Sequence, residues 1–140
     1  MGDNTWLELT FALEDVRLFK TITDRIVHCE NLHYETNMYG DCIELYLDDQ
    51  EDGGIDITDK LISSQFVFKA LYGGTREFDS GAIVSYRGRH SDIPVNYVGN
   101  PIVEVPQYGE IKKNSLEYIE RYYRLLDLVN NHIHRTALAA

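Results

Sequence analysis

Apolar and polar residues alternate from Thr5 to Leu13, with Leu7, Leu9, Phe11 and Leu13 on one side and Glu8, Thr10 and Ala12 on the other. A period of two is the mark of a half-buried strand. The period then lengthens: Val16, Phe19, Ile22 and Ile26 recur at helical spacing. Glu14 and Asp15 stand where the positive end of a helix favours acid, so a helix is predicted over about 14–29. Residues 31–36 and 42–47 read as two strands joined across 37–41. The stretch DDQEDGG, 48–54, reads as a solvated loop, and 58–64 as a short helical turn. Residues 65–72 are extended, with Phe66, Phe68, Ala70 and Tyr72 on one face, and Gly73 and Gly74 end them. The run GAIVSYR, 81–87, is a further strand. Residues 93–98 and 102–105 form a hairpin across Gly99 and Asn100, a pair suited to positive-φ turns. Pro94, Pro101 and Pro106 cannot donate to a ladder, which places this hairpin at a sheet edge.

The strongest pattern comes last. Asn114 is placed to cap a helix, and Glu117 follows three residues later as in a capping box. Leu116, Ile119, Tyr122, Leu126, Val129 and Ile133 then hold one face, giving a long helix over about 115–134. Leu126, central in the stripe, is expected to be buried, and Asn130 more exposed. The layout is β-α-β-β, a run of strands, then a long helix. It predicts a single α+β domain over 1–140, a mainly antiparallel sheet with both helices packed on it.

A chain of 140 residues has room for one domain. With 44% apolar and 26% charged residues it can bury a core without staples. The 23 acids outweigh 13 Lys and Arg, a net charge of −10, which argues against direct nucleic-acid binding because phosphate contacts need bases. The N-terminal stretch lacks the basic and apolar regions of a secretory signal, and no stretch is long and apolar enough for a membrane span. Trp6 stands where a myristoylation motif wants Ser or Thr, and TALAA has no prenylation cysteine. Cys29 and Cys42 lie outside any CxxC pattern and read as reduced thiols, so the expected location is the cytoplasm.

Candidate chemistry sits in three places. The stretch 48–59 sets Asp48, Gln50, Asp52, Gly53, Asp56 and Asp59 at positions 1, 3, 5, 6, 9 and 12 of a calcium loop. Gln50 replaces an acid, Asp59 is shorter than the usual bidentate Glu, and the flank is too short for an entering helix. No metal and no cofactor is therefore assigned. In the second place the sign of charge reverses: Arg76, Arg87, Arg89 and His90 cluster among glycines, with Tyr72 and Tyr86 nearby. Arginine forks and tyrosine rings could hold a nucleotide-like anion, while Glu77, Asp79 and Asp92 offer the same arginines ordinary ion pairs. The third is the acidic run itself: Asp41, Glu44, Asp48, Asp49, Glu51, Asp52, Asp56 and Asp59, with no base among them.

Enzyme motifs are absent. His90, Ser91 and Asp92 are adjacent and cannot aim at one another as a triad must. His132 and His134 fall on opposite sides of the predicted helix, near its C-terminal end, where a cationic side chain is favourable. His28 and His33 have no evident partner.

The expected function is a non-enzymatic acidic binding or inhibitor protein. Its eight acids would meet a basic surface of a partner protein, including one that normally receives nucleic acid, and its ten tyrosines suit interfaces. The profile is similar to that of small phage- or plasmid-encoded inhibitors and of toxin-immunity proteins, though no motif ties it to either. The alternatives are a small-ligand binder using Tyr72, Arg76, Tyr86, Arg87, Arg89 and His90, and an enzyme with a dispersed site. Homo-oligomerisation is left open.

Overall fold

A computed structural model describes residues 4–23, 34–39, 42–74, 79–96, 98–103, 105, 107–109 and 113–139. The elements follow in chain order: β1 (Asn4–Ala12), a 3₁₀ turn (Leu13–Asp15), α1 (Val16–Ile22), β2 (Tyr34–Tyr39) and β3 (Cys42–Glu51). A second 3₁₀ turn (Asp52–Gly54) leads into α2 (Ile55–Ser63), β4 (Phe68–Tyr72), β5 (Gly81–Tyr86), β6 (Arg89–Pro94) and α3 (Lys113–Ala139). The six strands form one sheet in the order β2-β3-β1-β4-β5-β6, antiparallel at every pairing. The predicted α+β class holds, with α1 and α2 on one face and α3 on the other.

Register shows why. Leu9 lies between Leu45 and Ala70, and Leu7 between Leu47 and Tyr72, so the alternating apolar side of β1 meets apolar residues on both neighbours. Phe19 of α1, Leu61 of α2 and Phe66 close over this face. Phe11 and Phe19 stack at 4.5 Å, and Phe66 meets Phe11 edge-on at 5.5 Å. On the opposite face Ala82, Val84 and Ile93 pack beneath Tyr122, Leu125, Val129 and Ile133 of α3. β5 is buried on both sides, which is why GAIVSY reads as a continuous small and apolar run rather than an alternation.

Several boundaries differ from the sequence reading. The α-helix ends at Ile22: Thr23 has left helical geometry, and its hydroxyl donates to the Phe19 carbonyl at 2.7 Å. The remainder of the helix expected to Cys29 lies outside the described residues, as do His28, His33 and residues 31–33 of the expected strand. The β2–β3 hairpin is tighter than predicted, with Tyr39 pairing to Cys42. Residues 48–51 are strand rather than loop, because β1 extends to Asn4 and supplies partners for Gln50 and Glu51. The helical turn expected at 58–64 begins three residues earlier, as α2.

A hairpin the sequence reading lacks joins β5 to β6 across Arg87 and Gly88, both at positive φ, with Tyr86 facing Arg89 at the closure. Arg-Gly lacks the pairing of Gly with Asn that makes Gly99 and Asn100 conspicuous. The chain does reverse at those two, with the Asn96 N–H donating to the Asn100 carbonyl at 2.8 Å, but among the described residues the pairing beyond is one bridge, Val95 to Pro101, rather than two strands. β6 is nonetheless an edge strand, which accommodates Pro94.

α3 starts at Lys113, so Asn114 is its second residue rather than its cap, and it runs on to Ala139. Leu116 is 52% exposed, whereas Leu125 is buried and Leu126 only half-buried. Helical spacing admits either leucine, and the packing of α3 on β5 and β6 selects Leu125. Asn130 is half-buried, and its Oδ1 accepts a bond from Lys69 Nζ at 2.9 Å.

Candidate functional site: an acidic cleft between α2 and β6

The acidic segment is shaped by a bulge and by two glycines. Between Thr5 and Leu7 of β1 the register slips, so that Asp48 and Asp49 of β3 together oppose Trp6. Asp49 takes φ 53°, in the left-handed region where Asp is tolerated. Its N–H donates to Asp48 Oδ1 at 3.0 Å, and Asn4 Nδ2 donates to Asp49 Oδ1 at 3.0 Å. Buried Gln50 spans the bulge, its Nε2 donating to the Asp48 carbonyl at 2.8 Å. These bonds hold 48–51 in the sheet. The twelve residues 48–59 thus divide among strand, 3₁₀ turn and helix, and do not wrap one centre as a calcium loop does.

The chain next turns over the sheet through Gly53 (φ 67°) and Gly54 (φ 77°). A Cβ on Gly54 would lie 2.5 Å from Leu7 Cδ2, and one on Gly53 would lie 3.0 Å from Tyr72 Cβ. Only glycine permits both the left-handed backbone and this approach. The consequence is positional: Asp52 and the start of α2 are brought against Tyr72 at the end of β4.

Tyr72 pairs with Gly81 across β4 and β5, and its phenol lies over Gly81, where any Cβ would collide with the ring and the hydroxyl. From there the hydroxyl donates to Asp92 Oδ1 of β6 at 2.8 Å. Tyr72, Asp92, His90, Asp52 and Asp59 line a cleft of about 310 Å³, with Ile55, Ile62 and Ile83 supplying its apolar surface. Among the described residues the cleft has no Lys or Arg in its lining. Asp92 is exposed on the edge strand, yet neighbouring protein displaces enough water to raise its carboxyl above the usual range. The Tyr72 hydroxyl bond and His90 oppose that rise, and Asp59 adds to it. Burial first, and then the Asp92 carboxylate, push the Tyr72 phenol well up, so it stays a donor at neutral pH.

No protein-family model, curated protein or solved structure matches this chain. The site is therefore read from its own chemistry.

Of the eight acids expected to form one surface, Asp48, Asp49, Glu51, Asp56 and Asp59 are exposed and Asp52 is half-buried. Asp41 lies outside the described residues. Glu44 belongs elsewhere: it faces the α3 side of the sheet, beside Glu8 and Lys69. That side holds a second cavity of about 280 Å³, lined by Glu8, Thr10, Glu44, Lys69, Tyr122 and Leu126 among others. Burial and the Glu44 charge raise the Glu8 carboxyl, and Lys69 counters them.

The residues proposed for an anion site are not gathered. Tyr72 and His90 line the acidic cleft, Arg87 lies over the Tyr86 ring at 5.2 Å beside the hairpin turn, and Arg89 is exposed. Arg76 lies outside the described residues. His90 and Asp92 share the cleft, and Ser91 is buried between them with its side chain on the other face, as strand alternation requires. His132 is not at a helix end, since α3 continues to Ala139. Its Nε2 lies 2.7 Å from Asp15 Oδ2, tying α3 to the corner between β1 and α1. Among the described residues, Glu14, Asp15 and His132 have ligand atoms within 4.8 Å of one another, close enough to share a metal ion. Sequence reasoning missed both this contact and Asp92 as a cleft residue, because each joins elements far apart in the chain. Among the described residues, no helix is long and apolar enough to cross a membrane.

Proposed function

We propose that this protein is a non-enzymatic binding protein that docks its acidic surface on a basic surface of a partner protein and so occupies it. One observation carries the reading: Asp52 and Asp59 of the acidic segment meet Asp92 of a distant strand around a single cleft that has no described Lys or Arg in its lining. Exposed Asp48, Asp49, Glu51 and Asp56 extend the same charge along the adjoining segment. Like charges gathered in this way repel one another, and a cationic partner relieves the repulsion. The anion-binding alternative lacks this support, because its tyrosine and histidine stand among carboxylates.

The test is kinetic. A partner captured from the native host should associate more slowly as salt rises, since exposed charges are screened over about 8 Å at physiological ionic strength. Asn is tolerated at positive φ, so Asp48→Asn, Asp49→Asn, Glu51→Gln and Asp52→Asn together lower the charge from −10 to −6 without straining the turn. The association rate of this variant should fall by about tenfold, with the dissociation rate changed less. Equal rates and equal salt slopes for both proteins would remove the reading.

A further inference from the structure

We infer that the cleft between α2 and β6 receives an arginine side chain presented by the partner protein. The inference rests on the acidic docking reading and deepens it: the surrounding acids guide the encounter, and the cleft holds one residue.

Size narrows the occupant. At about 310 Å³ the cleft is at the lower end of small-molecule sites, which run about 300–1,000 Å³, and it is open to solvent. A side chain reaching in from another surface suits such a space better than a free metabolite. The lining then specifies that side chain. Ile55, Ile62 and Ile83 give an apolar bed for a methylene stem, which long cationic side chains bury while their heads stay polar. Ile55 is 50% exposed at the first position of α2, an apolar surface left for a partner to cover. Beyond the bed stand Asp92, Asp59 and Asp52.

Charge complementarity selects a cation, and geometry selects arginine. Asp92 accepts the Tyr72 hydroxyl on Oδ1, which fixes the plane of its carboxylate and leaves Oδ2 able to accept from a second donor. A planar guanidinium has five donors and can bridge carboxylates from two elements, and Asp59 of α2 and Asp92 of β6 line this one cleft. An ammonium offers the charge without the fork. The second cavity shows the contrast: Glu8 and Glu44 there already have Lys69 beside them. The acidic cleft has His90 and, among the described residues, no Lys or Arg in its lining.

The full chain is titrated with three acetylated, amidated pentapeptides, Gly-Ser-Xaa-Ser-Gly, with arginine, lysine or citrulline at the centre. Backbone amide shifts in α2 and β6 are followed by NMR. The arginine peptide should bind more tightly than the lysine peptide, and neutral citrulline should produce no saturable shift. Asp92→Asn, which can still accept from Tyr72, should weaken the arginine peptide by about tenfold, as should Asp59→Asn at an exposed helix position where the fold is safe. Asp48→Asn with Asp49→Asn and Glu51→Gln should leave its affinity within about twofold, because these exposed rim side chains do not line the cleft and reach a peptide of single charge only through screening solvent. If the rim variant loses as much as Asp92→Asn, or citrulline binds as well as arginine, the cleft assignment falls while acidic docking stands. No saturable binding of any peptide also overturns the cleft assignment. Acidic docking itself fails only when association with the partner is indifferent to salt and to the amide substitutions.

Discussion

Two cavities lie on opposite faces of one sheet, each holding one carboxyl that burial has made less acidic, Glu8 in one and Asp92 in the other, and they differ in how the charge around it is balanced. On the α3 side Glu8 and Glu44 share their cavity with Lys69, whose ammonium is anchored by Asn130 at 2.9 Å. Tyr122 and the half-buried Leu126 also line it. On the α2 side Asp52, Asp59 and Asp92 line their cleft with a phenol and an imidazole, and no Lys or Arg among the described residues lines it. The first is internally compensated, as buried charge in a structural role must be. The second sits at the edge strand, where compensation can come from outside. What separates the two cavities is the placement of one lysine, Lys69.

The largest expected effect tests how each side is closed. Leu125 is buried beneath α3 while Leu126 borders the Glu8 cavity, so Leu125→Ala should cost about 2–5 kcal/mol and Leu126→Ala clearly less. Denaturant midpoints decide this, and equal losses would mean that α3 packs evenly and no cavity lies under it. Next comes the wall of the acidic cleft. Gly81→Ala forces the Tyr72 phenol off its seat, an overpacking that should cost about 1–3 kcal/mol and break the bond to Asp92. Tyr72→Phe removes that bond without the collision, so it should be the milder change in a thermal melt. A Gly81→Ala protein as stable as wild type would show that Tyr72 is not clamped.

The smallest effect concerns Glu8. Its carboxyl is raised in the folded state, so ionised Glu8 opposes folding above that raised value, and the opposition vanishes below the unfolded value, where both states are protonated. Glu8→Gln should therefore raise the melting temperature slightly at neutral pH, with the gain shrinking as pH falls through the carboxylate range. A gain that is constant with pH would assign the effect to packing instead.

The acidic cleft was half legible in the chain. Asp52 and Asp59 stood out because eight acids without a base cluster within a short stretch. Asp92 did not, since in the chain it stands near Arg87 and Arg89 as an ordinary ion-pair partner for them. Strand β6 carries its arginine near the hairpin tip and Asp92 further along the strand, on the side that α2 approaches. Glu44 shows the reverse error. It belongs to the acidic run by position, yet alternation along β3 sends it to the α3 face.

Local periodicity determined the strand of β1, the apolar face from Phe66 to Ala70, the edge character of the proline-bearing segment and the long final helix. Each of these depends on neighbours a few residues apart, within reach of strand and helix repeats. Tertiary structure decided the rest. Pairing with Asn4 and Thr5 drew 48–51 into the sheet, the packing of α3 on β5 and β6 chose Leu125 over Leu126, and the close passage of Gly54 over Leu7 set α2 beside β6. Each outcome depends on which distant surface a residue meets, a relation that no window of a single chain contains.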